Sequence, residues 1–490
     1  MITIFAATDV FDNTQRLIKN EHRLNELVQV TITATETAAI KVSDHITVLP
    51  DWENAQPPVL LPIMPYSNEL LLGIVYAKLG NYDKAFELLQ TQPTVLPHID
   101  LLNRLHNGVN VADAITPETN AVSLHNNAVA LHYGIIESPF SETEIIESYE
   151  KAIAANNDAE QKQFSIYQLA QLFIDLGKID KAETLINSFL QQNTSNKVTI
   201  AFKDLQCKIG IKKIKVPYEN TLMEDVKKKL WECLVYYEAN NRRVEAAMVL
   251  TDASYIATLN NSFSEALGYV NRAIKIFDEE QLEELLAQAQ FTKGTLLQTW
   301  AQNGNPQFYR TAIESYQEAL RVFTKENAPD IFAEIQHQLG KVYAEIPDEV
   351  KKKGLWAAVS VSSFNEALNY YNKIDFPYEF AMICNSLGNA YTKYPASIHT
   401  DNFDKALAWY RESLDIRTAE KYPIERVLTL SNYLEASWYV RNKEEFDEDR
   451  YNDMMAVANE ILKITNDAEM IENAKSNITK LEQIKAEANN

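Results

Sequence analysis

From residue 66 to the end of the chain, apolar residues recur every third and fourth position in stretches of helix length, and short polar breaks separate the stretches. A period of about 3.6 residues marks amphipathic helices, so this region is expected to be all-α. Residues 1–50 follow other periods. Ile2–Ala6 is a short β-type run, residues 13–27 carry a polar helix pattern, residues 28–35 alternate as a half-buried strand does, and residues 39–49 are its expected partner. Together they predict a small N-terminal α/β piece. Residues 51–65 lie in a stretch with five prolines between Pro50 and Pro65 and no periodicity, and are expected to be a linker.

Within the helical region a single triplet recurs: a small residue, an aromatic or apolar residue three positions on, and an alanine in a second amphipathic stretch. Gly73, Tyr76 and Ala85 are its first instance, with the turn Gly80-Asn81-Tyr82 between them and Pro97 at the close. Ala170, Phe173 and Ala182 repeat the same twelve-residue offset, and Ser254 with Ala266 keeps it again. A small residue there lets the next helix approach closely, and the alanine supplies the matching flat spot. Later instances are longer. Gly294 precedes Ala312 by 18 residues, Gly340 precedes Ala367 by 27, and Gly388 precedes Ala406 by 18. Pro329, Pro377 and Pro423 stand where helices are expected to begin, a position at which a missing N–H costs nothing.

These residues resemble the tetratricopeptide repeat, a helix-turn-helix unit of about 34 residues with small, aromatic, alanine and closing proline positions. The longer units resemble bacterial-type arrays with lengthened intra-repeat loops. The resemblance implies an all-α fold, a right-handed α-α superhelix, with the small α/β piece at its N-terminus. Repeats are expected over 66–190 and, with long loops, over 241–465. Residues 191–240 fit no clean repeat and are expected to be an irregular helical segment. Residues 466–490 read as a capping helix opened by an Asn466/Glu469 capping box. Tyr149, Tyr316, Tyr371 and Tyr410 fall on second helices and are expected to pack between helices.

Composition narrows the function. Only 12 of 490 residues are glycine, and the nearest pair, Gly73 and Gly80, are seven apart, so no phosphate-cradling or nucleophile-elbow glycine motif occurs. A net charge of −22 repels a phosphate backbone, which argues against nucleic acid. No apolar run approaches the ~20 residues of a membrane span. The start reads as lacking a secretion signal, and three scattered cysteines fit a reducing compartment, so a cytoplasmic location is expected.

Candidate chemistry is sparse. There is no H-E-x-x-H or C-x-x-C; His125 and His132 stand seven residues apart, about 10 Å along a helix, too far to share a metal unaided. No metal and no cofactor are expected. Cys384 reads as a buried small hydrophobe. The acidic runs Glu142/Glu144/Glu147 and Glu444/Glu445/Asp447/Glu448/Asp449 read as solvated faces and helix starts. The chain is therefore expected not to be an enzyme.

In the resembled family the first helices of successive units line a concave groove, and residues three before and one after the small position face it. Transferred unit by unit, this nominates Tyr167 and Gln171, Thr251 and Tyr255, Phe291 and Thr295, His337 and Lys341, Asn385 and Asn389, and Ser431 or Asn432. One cation among them departs from the family's clamp for a terminal carboxylate. Amides and aromatics imply instead an extended peptide or protein partner, favoured if basic by the acidic charge. The expectation is a non-enzymatic scaffold; the alternatives are a signalling regulator or effector companion whose N-terminal piece senses a ligand or docks an enzyme, and an enzyme with an unrecognised site.

Overall fold

The computed structural model describes residues 2–33, 38–53, 56–117, 119–134, 141–190, 195–215, 218–396, 401–441 and 446–488. Its contacts divide the chain into two units, 1–236 and 237–490.

The first unit opens with β1 (Ile2–Ala6), α1 (Phe11–Asn20), α2 (Leu24–Leu27), β2 (Val28–Thr31), β3 (Ala38–Val42), β4 (His45–Val48) and β5 (Met64–Pro65). The sheet order is β2-β1-β3-β4-β5; β1 runs parallel to β2 and β3, and the β3–β4 and β4–β5 pairs are antiparallel. The stretch expected to partner β2 is thus a hairpin, β3–β4, that pairs with β1. The reason lies in β1 itself: ITIFA is nearly all apolar, as a strand between two parallel neighbours is. The expected helix over 13–27 is broken at Arg23, whose φ of 58° is left-handed. Ile4, Ile40 and Ile46 of the sheet share one core with Leu71, Ile74, Leu89 and Ile99 of the helices that follow, so the sheet and the first repeat are packed as one body.

Those helices are α3 (Asn68–Lys78), α4 (Tyr82–Leu89), α5 (Leu96–His106), α6 (Ala121–Tyr133), α7 (Glu142–Ala155), α8 (Ala159–Asp175), α9 (Ile179–Leu190), α10 (Asn196–Lys213) and α11 (Asn220–Ala239), the last crossing the division between units. The stretch expected to be irregular forms the regular helices α10 and α11, and Gly210 faces Val226 much as the repeat glycines face their partners. The second unit continues with α12 (Arg243–Leu259), α13 (Phe263–Glu279), α14 (Glu283–Gln302), α15 (Phe308–Ala319), α16 (Pro329–Glu345), α17 (Val350–Tyr370), α18 (Pro377–Lys393), α19 (Asn402–Ile416), α20 (Pro423–Ser437), α21 (Glu448–Ile464) and α22 (Ala468–Ala488). The three prolines open α16, α18 and α20 as expected. Asp467 caps α22 by accepting from the Met470 N–H at 2.9 Å, in place of the expected Asn466.

Within each pair the small first-helix residue meets one side chain of the second helix. A Cβ on Gly73 would strike Leu89; on Gly294 it would lie 2.6 Å from the Tyr316 ring, and on Gly340 2.9 Å from the Phe364 ring. Gly388 meets Tyr410 the same way. Ala85, Ala170, Ala182, Ala312 and Ala406 are all buried beside these contacts. The middle long unit shifts the expected register. Its ring is Phe364, so Ser360, not Ala367, stands where Ala312 and Ala406 stand, and Ala367 matches Ala319. Ser360 is buried and donates to the Gly340 carbonyl at 2.6 Å. Tyr371, seven residues past Phe364, sits half-buried at the end of α17 and donates to the Asp330 carbonyl, while Tyr149, Tyr316 and Tyr410 are fully buried. Gly80, Gly177 and Gly304 lie in the turns with φ of 74°, 68° and 94°, which other residues rarely adopt.

Gly388→Ala and Gly340→Ala should each cost about 1–3 kcal/mol by forcing a ring off its seat. Thermal or urea unfolding of the two variants checks this, and unchanged stability at both would contradict this pairing of glycine and ring.

Candidate functional site

In the first unit, residues 49–53 and 56–63 lie between β4 and β5 and pack against the first helices. They are packed, which overturns the linker expectation: Trp52 is 5% exposed, Leu60 1% and Leu61 6%. The segment answers some of its own groups, as where the Val59 N–H donates to the Pro57 carbonyl, and burial requires partners for the rest of its backbone. The first helices supply them. Asn126 of α6 accepts from the Leu60 N–H and donates to the Leu60 carbonyl, each at 2.8 Å. His125 Nε2 donates to the Pro58 carbonyl at 2.8 Å, which leaves Nδ1 to accept from Ser165 Oγ of α8 at 2.8 Å. Gln161 of α8 reaches the Leu61 carbonyl at 3.5 Å. The Trp52 indole lies edge-on to Phe164 and Tyr167, with Phe202 of α10 tilted beside it, and its N–H donates to Glu160. Tyr167, nominated for a peptide, is therefore 5% exposed and covered by the chain's own tryptophan. Gln171, one turn further, is half-buried and donates to Asp175.

The second unit sets its first helices side by side, α12 against α14, α14 against α16, α16 against α18 and α18 against α20. Thr251 and Tyr255, Phe291 and Thr295, Lys341, Asn385, Asn389 and Asn432 are half-buried or exposed on these helices. Buried tyrosines fix some of them: Tyr316 donates to Gln298 at 2.7 Å with its oxygen 3.3 Å from the Thr295 hydroxyl, and Tyr410 donates to Asn389 Oδ1 at 2.7 Å. Asn432 donates to Asn385 across α18 and α20 at 3.2 Å. The middle unit has Phe364 in the ring position and no hydroxyl to offer, and there the residue after the glycine is Lys341, which donates to Gln338 at 3.0 Å. Burial lowers the Lys341 pKa against the pull of Glu334 and Glu345. His337 departs from its nomination: it is 2% exposed and links α16 to Ser386 of α18 at 3.0 Å, a helix-to-helix contact rather than an exposed groove wall.

The added residues of the longer units, which in the middle unit lie mostly in α17 and not in the turn, border a feature that sequence reasoning missed. A cavity of about 510 Å³ lies at the ends of α14, α16 and α18, lined by Gln302, Tyr309, Tyr343, Glu345, Trp356 and Lys393 among others. Burial alone would raise the Glu345 pKa, but an ion pair with Lys393 and bonds from Gln302 and Tyr309 hold it below the usual range. Its lone pairs are engaged, which suits it to structure more than to proton transfer. The only signal in the sequence is the lengthened offset itself.

Other candidate chemistry is spent on packing. His132 contacts Tyr149 and Asp175, and His125 the strap and Ser165. Cys384 is fully buried, and burial pushes its thiol up to about 12, the opposite of an activated nucleophile. Glu142 pairs with Lys178, Glu144 closes a capping box on Ser141, and Glu448 pairs with Lys485; Glu444 and Glu445 lie outside the described residues. Among the described residues, no cluster of three metal-ligating side chains occurs and no helix is long and apolar enough to cross a membrane.

Burial pushes His125 down to about 4 and His337 to about 3, against an ordinary value near 6.5. The unfolded chain takes up a proton at each near pH 6.5 while the folded chain does not, so stability is lost as pH falls through 6.5 and the loss grows down to about pH 4. Between pH 7 and 5 each histidine should cost about 2 kcal/mol. Urea unfolding across that window should show the slope, and His125→Gln with His337→Gln should flatten it.

No protein-family model matches the chain, and no curated protein shows significant sequence similarity to it. Its solved structural neighbours include the APC/C hetero-tetramer Cut9-Hcn1, at 13% identity over 85% of this chain and 84% of that one with a TM-score of 0.37. They also include the P58(IPK) TPR domain, at 15% identity over 85% and 98% with a TM-score of 0.21. Yeast Tom70 is a third, at 12% over 85% and 88% with a TM-score of 0.29. Superpositions this loose carry no functional argument. The fold rests on the chain's own geometry, helix pairs joined through a small first-helix residue, and it is tetratricopeptide-like.

Proposed function

We propose that the chain is a non-enzymatic scaffold whose second unit binds an extended peptide, or an extended segment of a protein, along α12, α14, α16, α18 and α20. The observation that carries this reading is Asn126 in the first unit, where one amide grips both polar groups of the Leu60 backbone from a first helix. The second unit carries Asn385, Asn389 and Asn432 on the corresponding helices. Each spends one polar atom on the scaffold, Oδ1 for Asn385 and Asn389 and Nδ2 for Asn432, and an amide has capacity beyond that. Phe291, Tyr255 and the aliphatic stem of Lys341 give such a peptide apolar cover. A net charge of −22 favours basic partners and speeds their encounter at low salt.

Selection from a random peptide library on the full chain tests the reading. Peptides recovered should lose roughly 100-fold in affinity on Asn385→Ala, Asn389→Ala and Asn432→Ala together, since each lost hydrogen bond is worth about 1 kcal/mol. Melting should fall, since Asn389→Ala leaves the buried Tyr410 hydroxyl without its acceptor, so binding is compared at a temperature where the variant is folded. Failure to recover any peptide, or equal binding by a folded triple variant, would count against it.

A further inference from the structure

Residues 49–63 have the chemistry of a ligand held by a groove. Their ends are tied outside it: Ile46 pairs with Met64 and His45 with Pro65, so β4 and β5 stay adjacent whether or not the excursion between them is docked. Inside the groove, the helices recognise the backbone at Pro58, Leu60 and Leu61, and a backbone presents the same groups whichever chain supplies it. Pro57, Pro58 and Pro62 remove N–H groups that would otherwise need partners and hold the segment extended. Side-chain preference comes from two anchors, the Trp52 indole among Phe164, Tyr167 and Phe202, and Leu60, buried eight residues later. Asp51 shapes the approach by accepting from the Glu53 and Gln56 N–H groups.

We propose that the first-helix face of α6, α8 and α10 is a peptide groove closed in cis by Trp52 and residues 57–62, and that the partner it admits is an extended, proline-bearing segment with an aromatic residue about eight positions before a leucine. It shares the Asn126–Leu60 contact with the reading of the second unit, but its groove and its test lie wholly within the first, so either can fail without the other. A tether of this length presents the internal segment at an effective concentration in the millimolar range, so an external segment of equal chemistry binds weakly until the internal one is loosened.

A fluorescent synthetic peptide with the sequence of residues 49–64, titrated against the full chain by polarisation, tests the proposal. The wild type should bind it weakly, and a Trp52→Ala/Leu60→Ala variant should bind at least ten-fold more tightly. Adding Asn126→Ala to that variant should remove the gain. A folded double variant no tighter than wild type, or a gain that survives Asn126→Ala, overturns the proposal. Should the double variant lose its helical circular dichroism, hydrogen exchange on the wild type decides. Val59, Leu60 and Leu61 amides exchanging ahead of the buried amides of α8 support a segment that leaves its groove; exchange only together with α8 overturns it.

Discussion

The close approach of each first helix to one side chain of its partner is the contact on which the rest depends. That side chain is aliphatic over Gly73 and Gly210, where it is Leu89 and Val226, and an aromatic ring over Gly294, Gly340 and Gly388. A ring lying on a glycine fills the volume a Cβ would take, at the packing density of a protein interior. It also spans the helix, so its far end emerges on the other side. Tyr316 and Tyr410 use that reach to put a hydroxyl on Thr295 and Asn389.

A second constraint governs the first unit. Residues 49–53 and 56–63, between two paired strands, are laid over helices, and their polar groups are answered by His125, Asn126 and Gln161 together with short bonds inside the segment. The same neutrality that lets His125 hold the strap makes it a burden in acid. Trp52 completes the arrangement by filling the aromatic recess of Tyr167, the position that in an unoccupied groove would face solvent.

The repeat was legible because its signal is local: a glycine or alanine, an alanine at a fixed offset, and a turn glycine all fall within one helix pair. In the structure Gly294 and Gly388 lie against the rings of Tyr316 and Tyr410, and Ala312 and Ala406 are buried one turn before those rings. The middle unit misled because Ala367 and Tyr371 mimic the usual alanine and tyrosine, while the residues that do the packing, Ser360 and Phe364, break the expected letters and keep the sizes. The strap was invisible for a different reason. Prolines without periodicity look alike whether solvated or docked, and the residues that hold them, such as Asn126, are 66 positions away in sequence. Nor does any sequence pattern report that His337 points between helices instead of into the groove.

The tyrosines that cross over their glycines have a consequence for how this molecule can change. Their rings fill the space over the glycines and their hydroxyls hold side chains of the first helices, so one residue answers to both. A substitution selected for tighter packing at Tyr410 would reset the side chain of Asn389 without any residue on the surface having been altered. The first-helix surface of this protein is therefore set in part from beneath, and in the middle unit, where Phe364 brings no hydroxyl, Lys341 turns to Gln338 instead.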